Sequence, residues 1–101
     1  MVIFWPKPAR KDLQHIYRYI AQDSVYYATR VTQDIMDKVE ILVHTPHMGH
    51  VVPEIGEPNV REIHLYSYRI MYEVMPDRIY IHGVIHMRRN FKPQDLQQPS
   101  A

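Results

Sequence analysis

Residues 61–91, REIHLYSYRIMYEVMPDRIYIHGVIHMRRNF, decide the fold. Apolar and polar residues alternate along three runs, and short turns at Ser67 and at Pro76-Asp77 separate the runs. Strands that are buried on one face have this period of two, and proline followed by aspartate favours a turn. The stretch therefore predicts an antiparallel meander of three strands.

We expect the alternation to hold to the end of the third run. It places two sets of side chains on opposite faces: Ile79, Ile81, Gly83 and Ile85 against Tyr80, His82, Val84 and His86. The run is followed by Arg88 and Arg89. Two adjacent guanidinium groups at the exit of a buried strand are unfavourable unless an anion meets them. This pair is the first pointer to function.

Upstream of the meander, the apolar spacing is that of two helices. Residues 1–5 form a short apolar run that predicts a strand, and Pro8 suits the first position of a helix. A first stripe at i, i+3, i+4 and i+7 and a second at 3–4 spacing indicate amphipathic helices, the second ending at about His44. The stripes are Leu13, Ile16, Tyr17 and Ile20, then Ala28, Val31, Ile35, Val39 and Leu42. Asp23 or Ser24 caps the second helix, and so short a break predicts an antiparallel hairpin.

Prolines and glycines in residues 45–59 predict an irregular connection to the meander. The predicted fold class is α+β: an N-terminal strand and an antiparallel helical hairpin packed on a mostly antiparallel four-stranded sheet. The hairpin covers one sheet face, and we expect the other face to remain open, with polar and aromatic groups at its centre. Pro93 opens a short last helix, and residues 97–101 are expected to be frayed.

Length and composition restrict the class of protein. The 101 residues make a single domain, residues 1–101, with one core. The net charge of +1 is too small for bulk attraction to nucleic acid, so any such chemistry must come from a local cluster of charge. The absence of cysteine excludes a disulfide framework and a thiol nucleophile. Residues 1–5 are too short for a signal peptide or membrane span, so we expect a soluble, cytoplasmic protein without membrane contact.

The sequence resembles the RelE/ParE superfamily, the toxin halves of bacterial type II toxin–antitoxin pairs. The strongest similarity is the pattern R-E-I-x4-Y-R-I-x-Y-x-V, a turn, and V-x-H-x-R-R, which here begins at Arg61 and ends at Arg89. A P-x-x-G after the second helix is matched by Pro46 and Gly49. Weaker matches lie in the first helix, at Ala9, Asp12, Leu13, Ile16, Tyr19, Ile20 and Ala21. The similarity spans about residues 5–91.

The resemblance implies a toxin that a cognate antitoxin neutralises, and it leaves two modes of action open. ParE-type members poison DNA gyrase by protein–protein contact and are not known as nucleases, so under this mode the protein would not be an enzyme. RelE-type members are endonucleases that cut mRNA on the ribosome, and such a site would use Arg69, Arg88 and His86 here. The first-strand positions that are basic in RelE-like nucleases carry Val60 and Glu62, and the long hairpin is more typical of ParE. The sequence therefore favours the gyrase inhibitor; a degenerate toxin or a plain interaction module is a third alternative.

Six residues are the candidates for contact with the target or partner: Arg61, Arg69, His86, Arg88, Arg89 and Phe91. Arg69, His86 and the Arg88-Arg89 pair each have a structural alternative. Arg69 can pair across strands with Glu62 or Glu73, and a strand histidine is often a half-buried, hydrogen-bonded residue. The resemblance implies no cofactor, and it allows a dimer or a hetero-oligomer with the antitoxin.

Histidines at His44, His47 and His50 form H-x2-H-x2-H, with Glu54 beyond them. Imidazole binds zinc, but this spacing in a proline- and glycine-rich connection matches no zinc motif. We therefore expect a histidine-rich polar loop and no metal site.

Overall fold

A helical hairpin and a mostly antiparallel sheet make up the fold in the computed structural model, which describes residues 1–96. The elements in chain order are β1 (Val2–Phe4), α1 (Lys7–Ala21), α2 (Val25–Glu40), β2 (His50–Val51), β3 (Val60–Leu65), β4 (Tyr68–Val74) and β5 (Arg78–His86). Short 3₁₀ turns at Ile41–Val43 and Pro93–Asp95 follow α2 and β5. The strand order is β1-β5-β4-β3-β2, and only β1 is parallel to its neighbour. The predicted fraying of residues 97–101 lies outside the described residues.

The helices begin and end where the sequence provides the signals. Pro8 lies in the first turn of α1. Ser24 caps α2, because its Oγ accepts a hydrogen bond of 3.1 Å from the backbone N–H of Tyr27. The sequence predicted that the second helix ends near His44. Helix α2 ends about one turn earlier, at Glu40, and a 3₁₀ turn follows. Within the described residues, neither helix has the length and apolar character needed to cross a membrane.

The hairpin covers one face of the sheet, as the pattern predicts. The apolar stripes of the helices meet the inward side chains of the three central strands and form the main core. Its buried members are Ala9, Ile16, Ile35, Val39, Leu42, Ile63, Ile70, Tyr72, Ile79, Ile81 and Val84. The α+β class is confirmed.

A fifth strand, β2, is absent from the sequence prediction. Its two residues, His50 and Val51, pair antiparallel with Glu62 and Arg61 of β3. A strand this short has no periodicity to recognise, and it lies inside the proline- and glycine-rich connection. In the described part of the chain the sheet therefore has five strands instead of the predicted four, and β2 anchors the connection to it.

A bulge in β5 shows that the prediction of an unbroken period of two was wrong. Met71 of β4 pairs with Gly83, whereas the next residue of β4 pairs with Ile81. His82 is therefore an extra residue on β5, and such a bulge reverses the side-chain alternation beyond it. The Nε2 atom of His82 lies 2.9 Å from a carboxylate oxygen of Glu73, so the extra residue is held by a polar contact.

Beyond the bulge the predicted faces are exchanged. Val84 joins the core under the helices, and Ile85 joins a cluster on the opposite face. His86 moves with Val84, and its ring packs edge-on against Tyr68, with 5.6 Å between ring centroids. The bulge therefore turns His86 towards α1.

The sheet face that we expected to be open is covered at its centre, which corrects the prediction. Met71 and Ile85 are apolar and lie in the middle of this face, so they need a partner surface. Residues 52–55 and 91–96 cross the face and supply it. The buried members of this second cluster are Val52, Val60, Met71, Ile85 and Phe91, with Ile55 and Leu96 packed against them.

Asp12 of α1 satisfies a backbone donor at the edge of β5. Strand β1 pairs with residues 78–80, and among residues 1–96 no strand lies beside the edge of β5 beyond them. The Oδ2 atom of Asp12 accepts a hydrogen bond of 3.0 Å from the backbone N–H of Val84. Burial raises the pKa of Asp12, and this hydrogen bond and the charge of Arg89 offset only part of the increase.

We expect Asp12→Asn to equal or slightly exceed the native protein in stability at pH 7, and Asp12→Ala to lose about 1–2 kcal/mol. Asparagine keeps an acceptor for the N–H of Val84 without a buried charge, whereas alanine leaves that N–H unpaired. Because the folded pKa of Asp12 is raised, its contribution to stability is greatest at low pH and is lost as the pH rises through that pKa. The advantage of Asp12→Asn should therefore disappear below about pH 4. Urea unfolding checks this; Asp12→Asn being less stable than Asp12→Ala would contradict it.

Candidate functional site

The structure separates the six predicted contact residues into two groups. Those engaged inside the fold are Arg61, Arg69 and Phe91, and those exposed at the end of β5 are His86, Arg88 and Arg89. The Arg61 guanidinium donates hydrogen bonds of 2.8–3.3 Å to three backbone carbonyls of the connection between α2 and β3. Phe91 is 6% exposed and belongs to the second apolar cluster.

Arg69 lies at the centre of an ion-pair network on the sheet face opposite the helices. Its guanidinium donates hydrogen bonds to Glu54, at 2.8 and 2.9 Å, and to Glu62, at 2.7 and 3.0 Å. The same group lies over the ring of Phe91, 5.4 Å from its centroid. His64 adds a further hydrogen bond to Glu62. The structural alternative of a cross-strand pair with Glu62 is therefore present.

The network keeps its acids and its guanidinium ionised. Hydrogen bonds from Arg69 lower the pKa of Glu54. Burial acts to raise the pKa of Glu62, but the hydrogen bonds from Arg69 and His64 outweigh it, so this pKa is also lowered. The two carboxylates in turn raise the pKa of Arg69. Four of the five N–H donors of this guanidinium are occupied, so little capacity remains for a phosphate.

The three residues that a nuclease would use are not brought together. Arg69 pairs with Ile85 in the sheet and faces the network, whereas the neighbouring His86 faces α1. Arg88 follows in the turn beyond β5. Because the sheet lies between the Arg69 guanidinium and the His86 ring, one phosphate cannot contact both directly.

Two residues of the exposed group, His86 and Arg89, line a groove between α1 and the end of β5, with a volume of about 380 Å³. Ile16 and Val84 form an apolar floor, since both are buried. The walls and rim are formed by Tyr19, Tyr68, His15, His86, Arg89, Asp12 and Ile85. Such a concave apolar site with a few polar groups suits one large side chain of a ligand or partner.

Two polar groups of the groove have defined roles. The backbone N–H of Arg88 donates a hydrogen bond of 3.1 Å to Nδ1 of His86. Nδ1 of His86 is thus the acceptor, and Nε2 can donate to a ligand. Burial, and secondarily the nearby hydroxyl of Tyr19, raises the pKa of Tyr68. Its phenol is therefore a neutral donor at pH 7, so the groove presents donors above an apolar floor.

Sequence reasoning assigned no role in the site to Asp12, His15 and Tyr19. These side chains project from α1 into the groove. In the sequence they lie about 70 residues before the end of β5, which forms the other side of the groove. His15 and Tyr19 are one helical turn apart beside the apolar stripe, and this pairing was the available signal. The sequence does not show that His15 and Tyr19 lie near His86, because that depends on how α1 packs on β5.

Two of the three histidines of the connection have different surroundings in the structure. His47 places Nε2 at 3.1 Å from Oδ1 of Asn59, and His50 lies on β2. Within residues 1–96, no group of three or more histidine, cysteine, aspartate or glutamate side chains is arranged to hold a metal ion.

Comparison with known proteins identifies the family. Residues 3–91 match the model of the ParE toxin of the type II toxin–antitoxin system, parDE. Among solved structures, a chain of the chromosomal ParDE toxin–antitoxin system from P. aeruginosa is similar, with a TM-score of 0.71 and 26% sequence identity. The alignment covers 85% of this chain and 95% of that chain. No curated protein matches significantly. This chain therefore belongs to the ParE toxin family of type II toxin–antitoxin systems.

Proposed function

We propose that this toxin inhibits DNA gyrase by protein–protein contact and is neutralised by a cognate antitoxin. The observation that carries the proposal is the engagement of Arg69 by Glu54 and Glu62, on the sheet face away from His86. An mRNA endonuclease would need a general acid, a general base and cations around one phosphate. Inhibition by contact needs only an exposed complementary surface, and the ParE family membership supports this mode of action.

The groove beside α1 is the surface that we assign to this contact. Its floor is apolar and its rim carries His86 and Arg89, with Arg88 adjacent. Buried anchors surrounded by polar groups provide most of the free energy of protein–protein association. A large side chain of gyrase inserted between Tyr19 and Tyr68 would be such an anchor. The similarity to a chain of a ParDE system supports an antitoxin as the second partner.

We expect the purified toxin to block supercoiling of relaxed plasmid by gyrase and to accumulate cleaved DNA. The double variant Arg88→Ala/Arg89→Ala should need at least about tenfold more protein for half-inhibition, which corresponds to about 1.4 kcal/mol of lost contact. Both side chains are exposed, so the thermal midpoint of unfolding should not change. The matched control is Arg30→Ala/Arg78→Ala, which removes two arginines that pair with nearby aspartates away from the groove.

Three results would count against this proposal. Unchanged supercoiling and no accumulated cleavage complex at saturating toxin would exclude gyrase as the target. New 5′ ends in translated mRNA, seen by primer extension and abolished by His86→Ala, would assign the endonuclease activity instead. If Arg88→Ala/Arg89→Ala and the matched control lost inhibitory potency equally, the groove would not be part of the surface that contacts gyrase.

A further inference from the structure

The net charge of +1 conceals an uneven distribution of charge. Of the 12 lysines and arginines, seven lie in α1 or in the segment after β5, whereas only two of the 11 acidic residues do. The remainder of the chain therefore has five cations and nine acids. We call the seven cations the α1 cationic face: Lys7, Arg10, Lys11, Arg18, Arg88, Arg89 and Lys92.

The two parts of the α1 cationic face are neighbours in space. Arg89 borders the same groove as His15 of α1, and its charge acts on the carboxyl of Asp12. Pro8 and Phe91 line a second cavity together, of about 210 Å³, so the segment after β5 lies against the start of α1. Residues 7, 11, 15 and 18 are exposed and share one side of the helix. Lys7, Lys11 and Arg18 thus lie on one exposed side of α1, and the segment that carries Arg88, Arg89 and Lys92 lies beside that helix.

These cations differ from the others in having few intramolecular partners. In the described part of the chain, Arg89 alone among the seven is within ion-pair distance of an acid, at 3.9 Å from Asp95. Of the five other cations, Arg30, Arg69 and Arg78 pair with carboxylates and the Arg61 guanidinium donates to backbone carbonyls. Within the described residues, Lys38 is the exception. The charge of the α1 cationic face therefore remains available to an external anion.

The start of α1 carries positively charged side chains, although the N-terminus of a helix disfavours positive charge. The first turn contains Lys7 and Arg10 and no acidic residue, and Lys11 follows. The residue before the helix, Pro6, provides no side-chain cap for the free N–H groups. A cation near the positive end of a helix dipole is unfavourable, most of all at low salt. Helix starts prefer acidic residues, and no acidic residue in the first turn offsets these cations. Such a departure indicates a functional constraint, and a bound polyanion would supply the missing negative charge.

We infer that the α1 cationic face binds the phosphate backbone of duplex DNA without sequence preference. The inference extends the proposed function, on which it rests for its biological setting, because gyrase acts on duplex DNA. Helix α1 is about 22 Å long at 1.5 Å per residue, which matches about six base pairs of duplex. Its lysine and arginine side chains can then follow one phosphate strand, while the acidic remainder of the protein orients this face towards the DNA.

The distribution of apolar side chains favours DNA over an acidic protein segment as the occupant. A segment that folds on the toxin must bury apolar surface to offset the loss of its conformational entropy. On α1, Tyr19 is the one large apolar side chain that is exposed. Helix α2 exposes four: Val25, Tyr26, Tyr27 and Met36. Phosphate recognition needs cations and little apolar area, and this is the composition of the α1 cationic face.

Fluorescence anisotropy with a labelled, random-sequence 30-base-pair duplex tests the inference with the toxin alone, without gyrase. We expect a dissociation constant in the micromolar range at 50 mM KCl. Four phosphate contacts predict a slope of about −3.6 for log K against log [KCl], and so roughly a 10²-fold loss of affinity between 50 and 200 mM. The variant Lys7→Gln/Lys11→Gln/Arg18→Gln should bind at least about tenfold more weakly at 50 mM KCl, with a slope shallower by about 2–3.

The matched control is Arg30→Gln/Lys38→Gln/Arg78→Gln, which removes the same net charge from other surfaces and should bind within about twofold of wild type. The α1 variant should unfold no earlier than wild type on heating, because it relieves the charge conflict at the helix start. No binding at 50 mM KCl would overturn the inference, as would equal losses in both variants. Binding to a polyglutamate peptide but not to DNA would also overturn it and assign the face to an acidic protein. Supercoiling inhibition by the same preparations reports separately on the gyrase proposal.

Discussion

Replacing Arg69 with alanine should lower the free energy of unfolding by about 3–5 kcal/mol, the usual effect of removing one partner of a buried ion pair. The Glu62 side chain is only 5% exposed, so it would remain buried beside Glu54 without its cation. The ring of Phe91 would also lose the guanidinium that covers it. For a domain of this size, the thermal midpoint should fall by at least about 12 °C. Circular dichroism during heating and in urea measures both quantities.

The pH dependence provides an independent check on Arg69→Ala. In the native protein the pKa values of Glu54 and Glu62 are lowered, so the pairs stabilise the fold above the unfolded value of about 4.3. This stabilisation is lost as the pH falls through the folded values. Without Arg69, burial raises the pKa of Glu62, so the variant should gain stability as the pH falls from 7 towards 5. In the native protein, Glu54 and Glu62 should contribute no gain in stability over that interval.

Two control variants separate the network from a general loss of arginine. Arg78→Ala removes an exposed arginine that pairs with Asp77, and it should leave the unfolding midpoint nearly unchanged. The double variant Arg69→Met/Glu62→Leu removes the buried charges together, and it should recover part of the loss seen with Arg69→Ala. If Arg69→Ala were as stable as wild type, or if Arg69→Met/Glu62→Leu were less stable than Arg69→Ala, the ion pairs would not be what holds this face together.

The elements that the sequence predicted well are those with a long, unbroken period. The apolar stripes of α1 and α2 extend over several turns, and the alternation along β4 has no interruption, so each has one compatible secondary structure. The failures occur where one residue changes the outcome. The extra residue His82 moves Val84 and Ile85 to the other face, although both assignments leave an apolar side chain on each face. No periodicity distinguishes these assignments.

The candidate site was predictable only in its sequence-local part. His86, Arg88 and Arg89 are adjacent in the chain, and the unfavourable charge at a strand end marks them. The engagement of Arg69 could be foreseen only as one alternative, because Glu54 lies in an irregular connection whose path no pattern specifies. The coverage of the sheet by Phe91 likewise depends on where residues 91–96 turn after the last strand. Tertiary packing decides such contacts.

The side chain of Tyr72 holds the P-x-x-G segment after α2 against the sheet. The hydroxyl of Tyr72 donates a hydrogen bond of 2.7 Å to the carbonyl of Pro46 and accepts one of 3.0 Å from the backbone N–H of Gly49. Gly49 is buried against β3, and a Cβ atom there would lie 2.4 Å from the carbonyl oxygen of Glu62 and 2.8 Å from the Tyr72 hydroxyl. The motif thus has a physical reason, since any side chain at position 49 would meet backbone.

Gly49→Ala should therefore destabilise the fold by about 3 kcal/mol or more, at the upper end of overpacking effects, because the obstructing atom belongs to a paired strand and cannot rotate away. Gly83→Ala is the matched control: its Cβ would meet a carboxylate oxygen of Asp12 at 2.9 Å, and that side chain can move. We expect the control to lose less stability in urea unfolding. Adding Tyr72→Phe to Gly49→Ala removes the hydroxyl contact but not the contact with Glu62. Full recovery in that double variant would show that the strand backbone is not the obstacle, whereas continued destabilisation would confirm that the close approach of β3 requires glycine at this position.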